Sequence, residues 1–386
     1  MQRNTAIQVI IVRDRSDPLT EAYVDVVRQA LTGREVGQEN LYFSDTRPLG
    51  IPLLDPQQVV DDANYRRALL GSAQSTVVLE ILSRNAPPRS KAIRNLLREP
   101  GLEKLKIRIP DPVANETEQL SSTGQGKIEP SFLPVVAALS VLEACRRILI
   151  RKTRGSEAQS KLFLSHAKRD GMVFAQALVS LLNRLRTLKG HRSLFRYFYD
   201  AESIKRGDRW RHAIKDHAET SLFIALRTEE YESRYWCRQE FLWAERNHAP
   251  MLVVDLRKNM YSQPSLLPFD QVDTARVADG NLVRVLYHAM RCHIDFLQLR
   301  YRVAPKRGRD VVLPRYPSSV SLEGVFRRIS KANQRRGRII YRGQTLPKEQ
   351  LNAVQRQYRE RFNITDEEPL FRIQSQAEWE VESVSS

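Results

Sequence analysis

The sequence predicts an α/β protein with two doubly wound domains and a smaller C-terminal extension. Near-continuous apolar runs at residues 5–12, 75–82 and 221–226 are typical of strands buried on both faces of a parallel sheet. Between these runs apolar residues recur at helical spacing, so strands and helices alternate along the chain. This alternation is characteristic of doubly wound α/β domains.

Composition limits the class of protein and its partners. A chain of 386 residues that is 41% hydrophobic can form two or three domains. Its net charge of +17 attracts anions, so nucleic acid, acidic lipid, an anionic activator or an acidic protein are candidate partners. Cys145, Cys237 and Cys292 lack CxxC spacing, which argues against disulfides and structural zinc and fits a reducing compartment. With no signal pattern and no apolar run long enough to span a membrane, we expect a cytoplasmic protein.

The first domain is expected at residues 1–152. Strands are predicted at residues 5–12, 40–44, 75–82 and 105–110, and helices at residues 21–31, 57–73, 90–98 and 131–152. Residues 110–130 form a polar segment that predicts a surface loop. Residues 153–160 predict a short linker and therefore the domain boundary.

The second domain begins directly after this linker. Strands are predicted at residues 161–165, 194–199, 221–226 and 251–256, and helices at residues 171–188, 210–219, 233–245 and 281–299. In open α/β sheets, ligands bind where the carboxyl ends of the strands meet. We therefore expect Ser165, Asp200 and the loop at residues 228–235 to cluster at one edge of the sheet.

The segment YESRYWCRQEFLWAE at residues 231–245 places an aromatic residue beside an acid. On a helix with Ser233 as N-cap, Trp236 and Glu240 lie one turn apart on the same face. This pair suits a flat, cationic, aromatic substrate. The alternative is that Trp236, Phe241 and Trp243 are core residues and that Glu240 is solvated, because a helical aromatic stripe is usually core.

Four blocks between residues 161 and 300 carry a family resemblance. They are KLFLSHAKRDG, FYDAESIKRGDRW, SLFIAL and YESRYWCRQEF, in that order. With these blocks, residues 158–302 resemble the Toll/interleukin receptor homology (TIR) domain of the bacterial NAD-cleaving type. The resemblance implies a flavodoxin-like parallel sheet. It also implies either cleavage of NAD⁺ between ribose and nicotinamide, in an immune or antiviral effector, or a non-catalytic scaffold that acts through TIR–TIR association.

The resemblance also implies roles for particular residues. The family's catalytic glutamate lies four residues beyond a tryptophan, which here gives Glu240 and Trp236. The expected substrate contacts, besides Trp236, are Ser165, His166, Phe198, Asp200, Ile204 and Tyr231. NAD⁺ is then the substrate, no other cofactor or metal is expected, and the chain is expected to form a homo-oligomer through its TIR surfaces.

The chemistry can be argued from the residues themselves. Nicotinamide in NAD⁺ is already a cationic leaving group, so its departure needs no general acid, and the barrier lies in forming an oxocarbenium-like ribose. One carboxylate, Glu240, could stabilise that charge. The indole of Trp236 could stack on the cationic ring. ADP-ribose or a cyclic ADP-ribose-like product would result.

Other motifs point to less specific chemistry. His212 and His217 lie five residues apart, a poor spacing for zinc ligands on a helix. Cys237 could be a low-pKa thiol at the loop–helix junction, although a buried residue beneath the tryptophan is the favoured interpretation. The absence of P-loop, G-x-G-x-x-G and H-E-x-x-H motifs disfavours Walker-type ATPases, Rossmann dehydrogenases and zincins.

The first domain could be a degenerate TIR-like copy of the second. VIIVRDRSD from Val9 parallels LFLSHAKRD from Leu162, and AQSTVVLEILSRN from Ala73 parallels AETSLFIALRTEE from Ala218. Duplication and convergence of two parallel sheets both explain these parallels. Where the second domain has RYWCRQE the first has RSKAIRN, so the first domain is expected to be catalytically silent.

Residues 303–386 form the basic C-terminal extension. Its run at residues 326–342 holds seven Arg or Lys and no acid, which indicates either a solvated helix face or a contact with nucleic acid, lipid headgroups or an acidic subunit face. One strand at residues 337–341 and one helix at residues 348–362 are predicted. The tail at residues 379–386 is expected to fray.

Overall fold

The computed structural model is an α/β protein in which every described strand pair is parallel. It describes residues 6–13, 18–32, 49, 51–54, 75–82, 90–108, 133–154, 161–187, 196–199, 221–258, 265, 267, 269, 272–276, 281–303, 310–331, 337–343, 345–362 and 371–385. The predicted strand at 40–44, the helices at 57–73 and 210–219, the loop at 110–130 and linker residues 155–160 lie outside these ranges.

The first sheet contains four strands in the order β2-β1-β3-β4. Its elements and the helices between them are β1 (Ile7–Val12), α1 (Pro18–Thr32), β2 (Leu53–Leu54), β3 (Ser75–Leu82), α2 (Lys91–Arg98), β4 (Glu103–Arg108) and α3 (Leu133–Arg154). All six residues of β1 are buried, as expected for a strand covered on both faces. Helix α2 begins where predicted because the Ser90 hydroxyl accepts a hydrogen bond from the Ile93 amide.

The second sheet contains five strands in the order β6-β5-β7-β8-β9. Its elements are β5 (Lys161–His166), α4 (Met172–Thr187), β6 (Arg196–Tyr199), β7 (Leu222–Arg227), α5 (Tyr235–Arg246), β8 (Met251–Asp255), β9 (Asp273–Arg276) and α6 (Leu282–Val303). Numbered within this sheet, the order is 2-1-3-4-5, the doubly wound order of flavodoxin-like folds. The predicted strands are present. β9 was not predicted, because only Ala275 of its four residues is buried.

The two sheets pair equivalent positions. The parallels in sequence equate Val9 with Leu162 and Val77 with Leu222. In the first sheet Val9 pairs with Val77, and in the second Leu162 pairs with Leu222. The first four strands of each sheet also share the order 2-1-3-4.

The C-terminal residues form a third sheet, in the order β10-β11-β12. We call residues 310–385 the C-terminal module; it contains β10 (Val311–Leu313), α7 (Ser319–Lys331), β11 (Gly337–Tyr341), α8 (Lys348–Phe362), β12 (Phe371–Ser375) and α9 (Gln376–Ser385). Only one strand and one helix were predicted here from the sequence, whereas the described residues of the module contain three of each. The prediction that the tail from residue 379 frays was also wrong, because Trp379 is only 4% exposed and packs with Leu299, Val303 and Ile340.

The chain divides into two compact units. One comprises Met1–Lys152, Ser180–Phe195 and Leu282–Ile294, and the other Thr153–Val179, Arg196–Asn281 and Asp295–Ser386. The second sheet and the C-terminal module therefore belong to the same unit. Independent folding of residues 1–152 stays a prediction. Within the described residues, no helix combines the length and apolar character needed to cross a bilayer.

Candidate active site

A chain of hydrogen bonds lies at the carboxyl end of β5. The Ser165 Oγ is 2.6 Å from Glu240 Oε2 and 2.8 Å from the Tyr231 hydroxyl oxygen. Ser165 is the penultimate residue of β5 and pairs with Ala225 of β7. The connections leaving β5 and β6 run in opposite directions along the sheet, so this is its topological switch point, where α/β folds bind ligands.

The direction of this hydrogen-bond chain follows from its donors and acceptors. A hydroxyl carries one proton, and a carboxylate only accepts, so Ser165 donates to Glu240 and accepts from the Tyr231 phenol. Burial, followed by the nearby Cys237 and Glu240 groups, raises the Tyr231 pKa well above its ordinary value. The phenol therefore keeps its proton, and the chain runs from Tyr231 through Ser165 to one oxygen of Glu240.

Tyr231 reaches the site from the core. Its side chain is 0% exposed, and its ring centroid lies 6.1 Å from that of Phe269 within an apolar cluster. Tyr231 was predicted as a substrate contact, but it is buried and instead hydrogen-bonds Ser165 from the core. Glu240 itself is half-buried, and Ser165 donates to one of its carboxylate oxygens.

Helix α5 presents two aromatic side chains at its first turn. Tyr235 is 56% exposed and Trp236 is 50% exposed, and their rings meet edge to face with centroids 5.2 Å apart. The alternative in which Trp236 is a core residue is therefore wrong. Phe241 does belong to the core, and Trp243 packs partly buried against the same cluster.

The N-terminus of α5 differs from the prediction. Its N-cap is Arg234, which makes no side-chain capping bond, whereas Ser233 was expected to cap the helix. The Ser233 hydroxyl instead donates to the Glu230 carbonyl, at 2.8 Å. The Arg234 guanidinium also pairs with Glu230, at 2.7 Å. The preceding turn therefore uses the serine that the helix was expected to use.

Cys237 lies beneath this turn as a buried thiol. Burial, followed by the negative charge of Glu240, raises the Cys237 pKa to about 12. Its burial and raised pKa both argue against a low-pKa nucleophilic thiol at this position. All three cysteines are buried, and none of them forms a disulfide.

Charged residues that the sequence did not single out fix the loop between β7 and α5. Asp170 accepts hydrogen bonds from the Thr228 hydroxyl, at 2.7 Å, and from the Glu230 amide, at 3.0 Å. Arg227 pairs with Glu232 at 2.5 Å, and its guanidinium carbon lies 4.2 Å from the Phe269 ring centroid. For the Asp170 half of this network the sequence did offer a signal, because KRDG places this aspartate soon after β5.

A second ion-pair group lies at the end of β8. The Arg257 guanidinium donates two hydrogen bonds to Asp255, at 2.9 and 2.8 Å. Burial alone would raise the Asp255 pKa, but the hydrogen bonds and charge of Arg257, with the charge of Arg227, hold this pKa below its ordinary value. These pairs give the carboxyl edge of the sheet a fixed charge pattern.

The remaining predicted contacts are only partly described. His166 is buried at the end of β5 and, as the neighbour of Ser165 on a strand, points to the opposite face. Phe198 lies in β6, where its backbone pairs with Phe163. Asp200 and Ile204 lie outside the described residues. The structure therefore brings Ser165, Tyr231 and Glu240 together, with Trp236 one turn before Glu240 on α5, and leaves the other contacts as predictions.

Neither a candidate metal site within the described residues nor a known relative was found. Among the residues that the structure describes, no group of three His, Cys, Asp or Glu could hold a metal ion. His212 and His217 lie outside them. No protein-family model matches the chain, and no curated protein sequence is significantly similar to it.

Proposed function

We propose that residues 158–302 form a TIR-type NAD⁺ glycohydrolase, acting as a cytoplasmic immune or antiviral effector. The observation that carries the proposal is the Glu240 carboxylate, hydrogen-bonded by Ser165 at the switch point of a 2-1-3-4-5 sheet. The half-exposed Trp236, one helical turn before this carboxylate, supports it. A Glu–Trp pair at this edge suits a cationic aromatic ring attached to a ribose.

The reaction needs one carboxylate and no metal. The bond between ribose C1′ and the nicotinamide nitrogen breaks, and its electron pair moves to that nitrogen, so nicotinamide leaves neutral. The ribose becomes oxocarbenium-like and is captured by water, which releases a proton and gives ADP-ribose. Capture by a nucleophilic atom of the same ADP-ribose would give a cyclic product.

Each residue of the site has a separate role in this reaction. Glu240 stabilises the positive charge that develops on the ribose, a contribution of about 3–4 kcal/mol for a preorganised group. Ser165 fixes one carboxylate oxygen, and Tyr231 fixes Ser165. Trp236 stacks on the nicotinamide ring while that ring carries its charge.

A non-catalytic TIR scaffold is the second candidate. The exposed Tyr235 and Trp236 favour it, because exposed apolar side chains that lie together can mark an association surface. The two candidates differ in a single assay. Purified protein is incubated with NAD⁺, and nicotinamide, ADP-ribose and cyclic products are separated by chromatography. The enzyme produces nicotinamide in step with NAD⁺ loss, whereas a scaffold leaves NAD⁺ intact at every protein concentration.

A further inference from the structure

The helix that carries Glu240 ends against the C-terminal module. Helix α5 terminates in a Schellman motif, in which Ala249 N donates to Ala244 O at 2.9 Å and His248 N donates to Glu245 O at 3.0 Å. His248 has a φ of 58°, a conformation that usually takes glycine because a Cβ is disfavoured there. Its Nε2 donates to the carbonyl of Ser321 in α7, at 2.8 Å. A contact from the module thus helps to hold this helix end.

The backbones of the two helices touch at Gly324. A Cβ added to Gly324 of α7 would lie 1.9 Å from the carbonyl oxygen of Arg246, the last residue of α5. No larger residue fits without a shift of one helix. The Arg246 side chain also pairs with Glu323 of α7, at 3.3 Å.

A buried carboxylate joins the end of α5 to the start of α7. Glu245 is 0% exposed and lies in the last turn of α5, where the helix dipole disfavours negative charge. It accepts hydrogen bonds from Ser318 Oγ, at 2.5 Å, and pairs with Arg315, at 3.3 Å. A buried carboxylate needs such partners, and both belong to the module.

Ser318 also starts α7. Its Oγ accepts from the Ser321 amide at 3.1 Å, while Ser321 Oγ accepts from the Ser318 amide at 2.8 Å, a reciprocal capping arrangement. The positive end of the α7 dipole therefore faces Glu245. One hydroxyl both caps α7 and secures α5.

We propose that α7 is a positioning element for Glu240, and that the C-terminal module is therefore part of the framework of the active site. The N-cap of α5 makes no side-chain capping bond, whereas the other end of the helix is held by side-chain and backbone contacts to the module, so these contacts limit how far the helix can tilt or slide. Ser318, Gly324 and Arg315 act through the helix and contact no substrate. This inference rests on the proposed NAD⁺ cleavage.

The test compares Ser318→Ala and Gly324→Ala with Ser319→Ala, a change of the exposed neighbouring serine. We expect faster amide hydrogen exchange in a peptide covering α5 for the first two variants, with unchanged exchange in peptides from β1 and β3. We also expect kcat for nicotinamide release to fall about tenfold, less than the roughly hundredfold cost of a 1 Å misplacement, while KM stays within about twofold. Ser318→Thr keeps the hydroxyl, so we expect it to retain the wild-type exchange in α5 and the wild-type kcat.

Three results would overturn the inference. They are unchanged exchange in α5, equal effects in Ser319→Ala, and faster exchange in α5 with unchanged kcat. If the wild-type protein cleaves no NAD⁺, the proposed function fails and Glu240 has no catalysis to be positioned for. The exchange data then still decide whether α7 holds α5.

Discussion

At the scale of single residues, the site depends on where one hydroxyl proton points. Ser165 has one proton and gives it to Glu240, so the orientation of this carboxylate depends on a side chain that is itself held by Tyr231. Sequence spacing could pair Trp236 with Glu240, because helical periodicity relates them. It could not reveal the role of Tyr231, because strand and loop packing bring that residue to Ser165.

Removing the Ser165 hydroxyl should lower activity without unfolding the chain. A hydrogen bond to a charged group contributes about 1.5–3 kcal/mol, so Ser165→Ala is expected to reduce kcat roughly tenfold to hundredfold. Tyr231→Phe should cost less, because Ser165 keeps its own donor. Initial rates at saturating NAD⁺ measure both effects. Ser233→Ala is the control, because it removes an exposed hydroxyl that takes no part in the hydrogen bonds joining Tyr231, Ser165 and Glu240. A loss of activity equal to that of Ser165→Ala would contradict the role given to Ser165.

The buried thiol predicts how stability depends on pH. The Cys237 pKa is about 12 in the folded protein and about 8.5 in an unfolded chain, so the folded state holds the proton more tightly. The stabilisation is complete below about pH 8.5 and is lost as the pH rises towards 12. Urea unfolding at about pH 7, 9 and 10.5 should show a falling free energy of unfolding, with a shallower fall in Cys237→Ala. Equal slopes in the two proteins would show that Cys237 is not the source.

At the scale of elements, burial decided which parts of the fold could be predicted. The buried, largely apolar strands β1, β3 and β7 were predicted because buried strands are near-continuous apolar runs. The strands that were missed are short or polar: β2 has two residues, β10 three, β9 one buried position, and β12 (FRIQS) three polar residues among five. Such strands are stabilised by their neighbours in the sheet, and local sequence carries no record of those neighbours.

The register of the first two sheets agrees with duplication, because it pairs the same aligned positions in both sheets. Convergence explains it equally, because buried apolar runs align with one another in any parallel sheet. Val12 stands in the first domain where the second has Ser165. A valine cannot hydrogen-bond a carboxylate, so this difference agrees with a catalytically silent first domain.

The helix at the C-terminus provides a stability test at this scale. Trp379 of α9 is 4% exposed, so Trp379→Ala should lower the free energy of unfolding by about 3–5 kcal/mol through loss of buried contacts. Val381 lies in the same helix and is 69% exposed, so Val381→Ala should change it by less than about 0.5 kcal/mol. Denaturant unfolding measures both. Equal, small effects would mean that the tail frays after all.

At the scale of the whole molecule, part of the excess positive charge is neutralised within the fold. In the basic run at residues 326–342, Arg338 pairs with Asp310 at 2.6 Å, and Arg342 pairs with Asp273 and Asp295. These arginines are structural, which weakens the case for the run as a nucleic-acid surface. The net charge of +17 nevertheless makes copies of the chain repel one another.

Assembly should therefore control activity. The TIR resemblance gives the loop at residues 200–208, which lies outside the described residues, a role both beside the substrate and against a neighbouring subunit. We expect the rate of NAD⁺ cleavage to rise more than proportionally with protein concentration, and Lys205→Glu/Arg206→Glu to lose this excess. Lys348→Glu/Arg356→Glu makes the same charge change at exposed positions of α8 and should keep it. Strictly proportional rates from nanomolar to micromolar protein would show that each monomer holds a complete site.

The central claim, that Glu240 is the catalytic carboxylate of an NAD⁺ glycohydrolase, is tested most directly by nicotinamide release from wild type and Glu240→Gln at micromolar protein. The substitution removes the charge and keeps the volume, so folding is preserved, and Glu349→Gln on exposed α8 is its matched control. The predicted result is nicotinamide equal to the NAD⁺ lost for wild type and Glu349→Gln, and none above the blank for Glu240→Gln. Equal release by Glu240→Gln and wild type, or no release by wild type at any concentration, would contradict the claim.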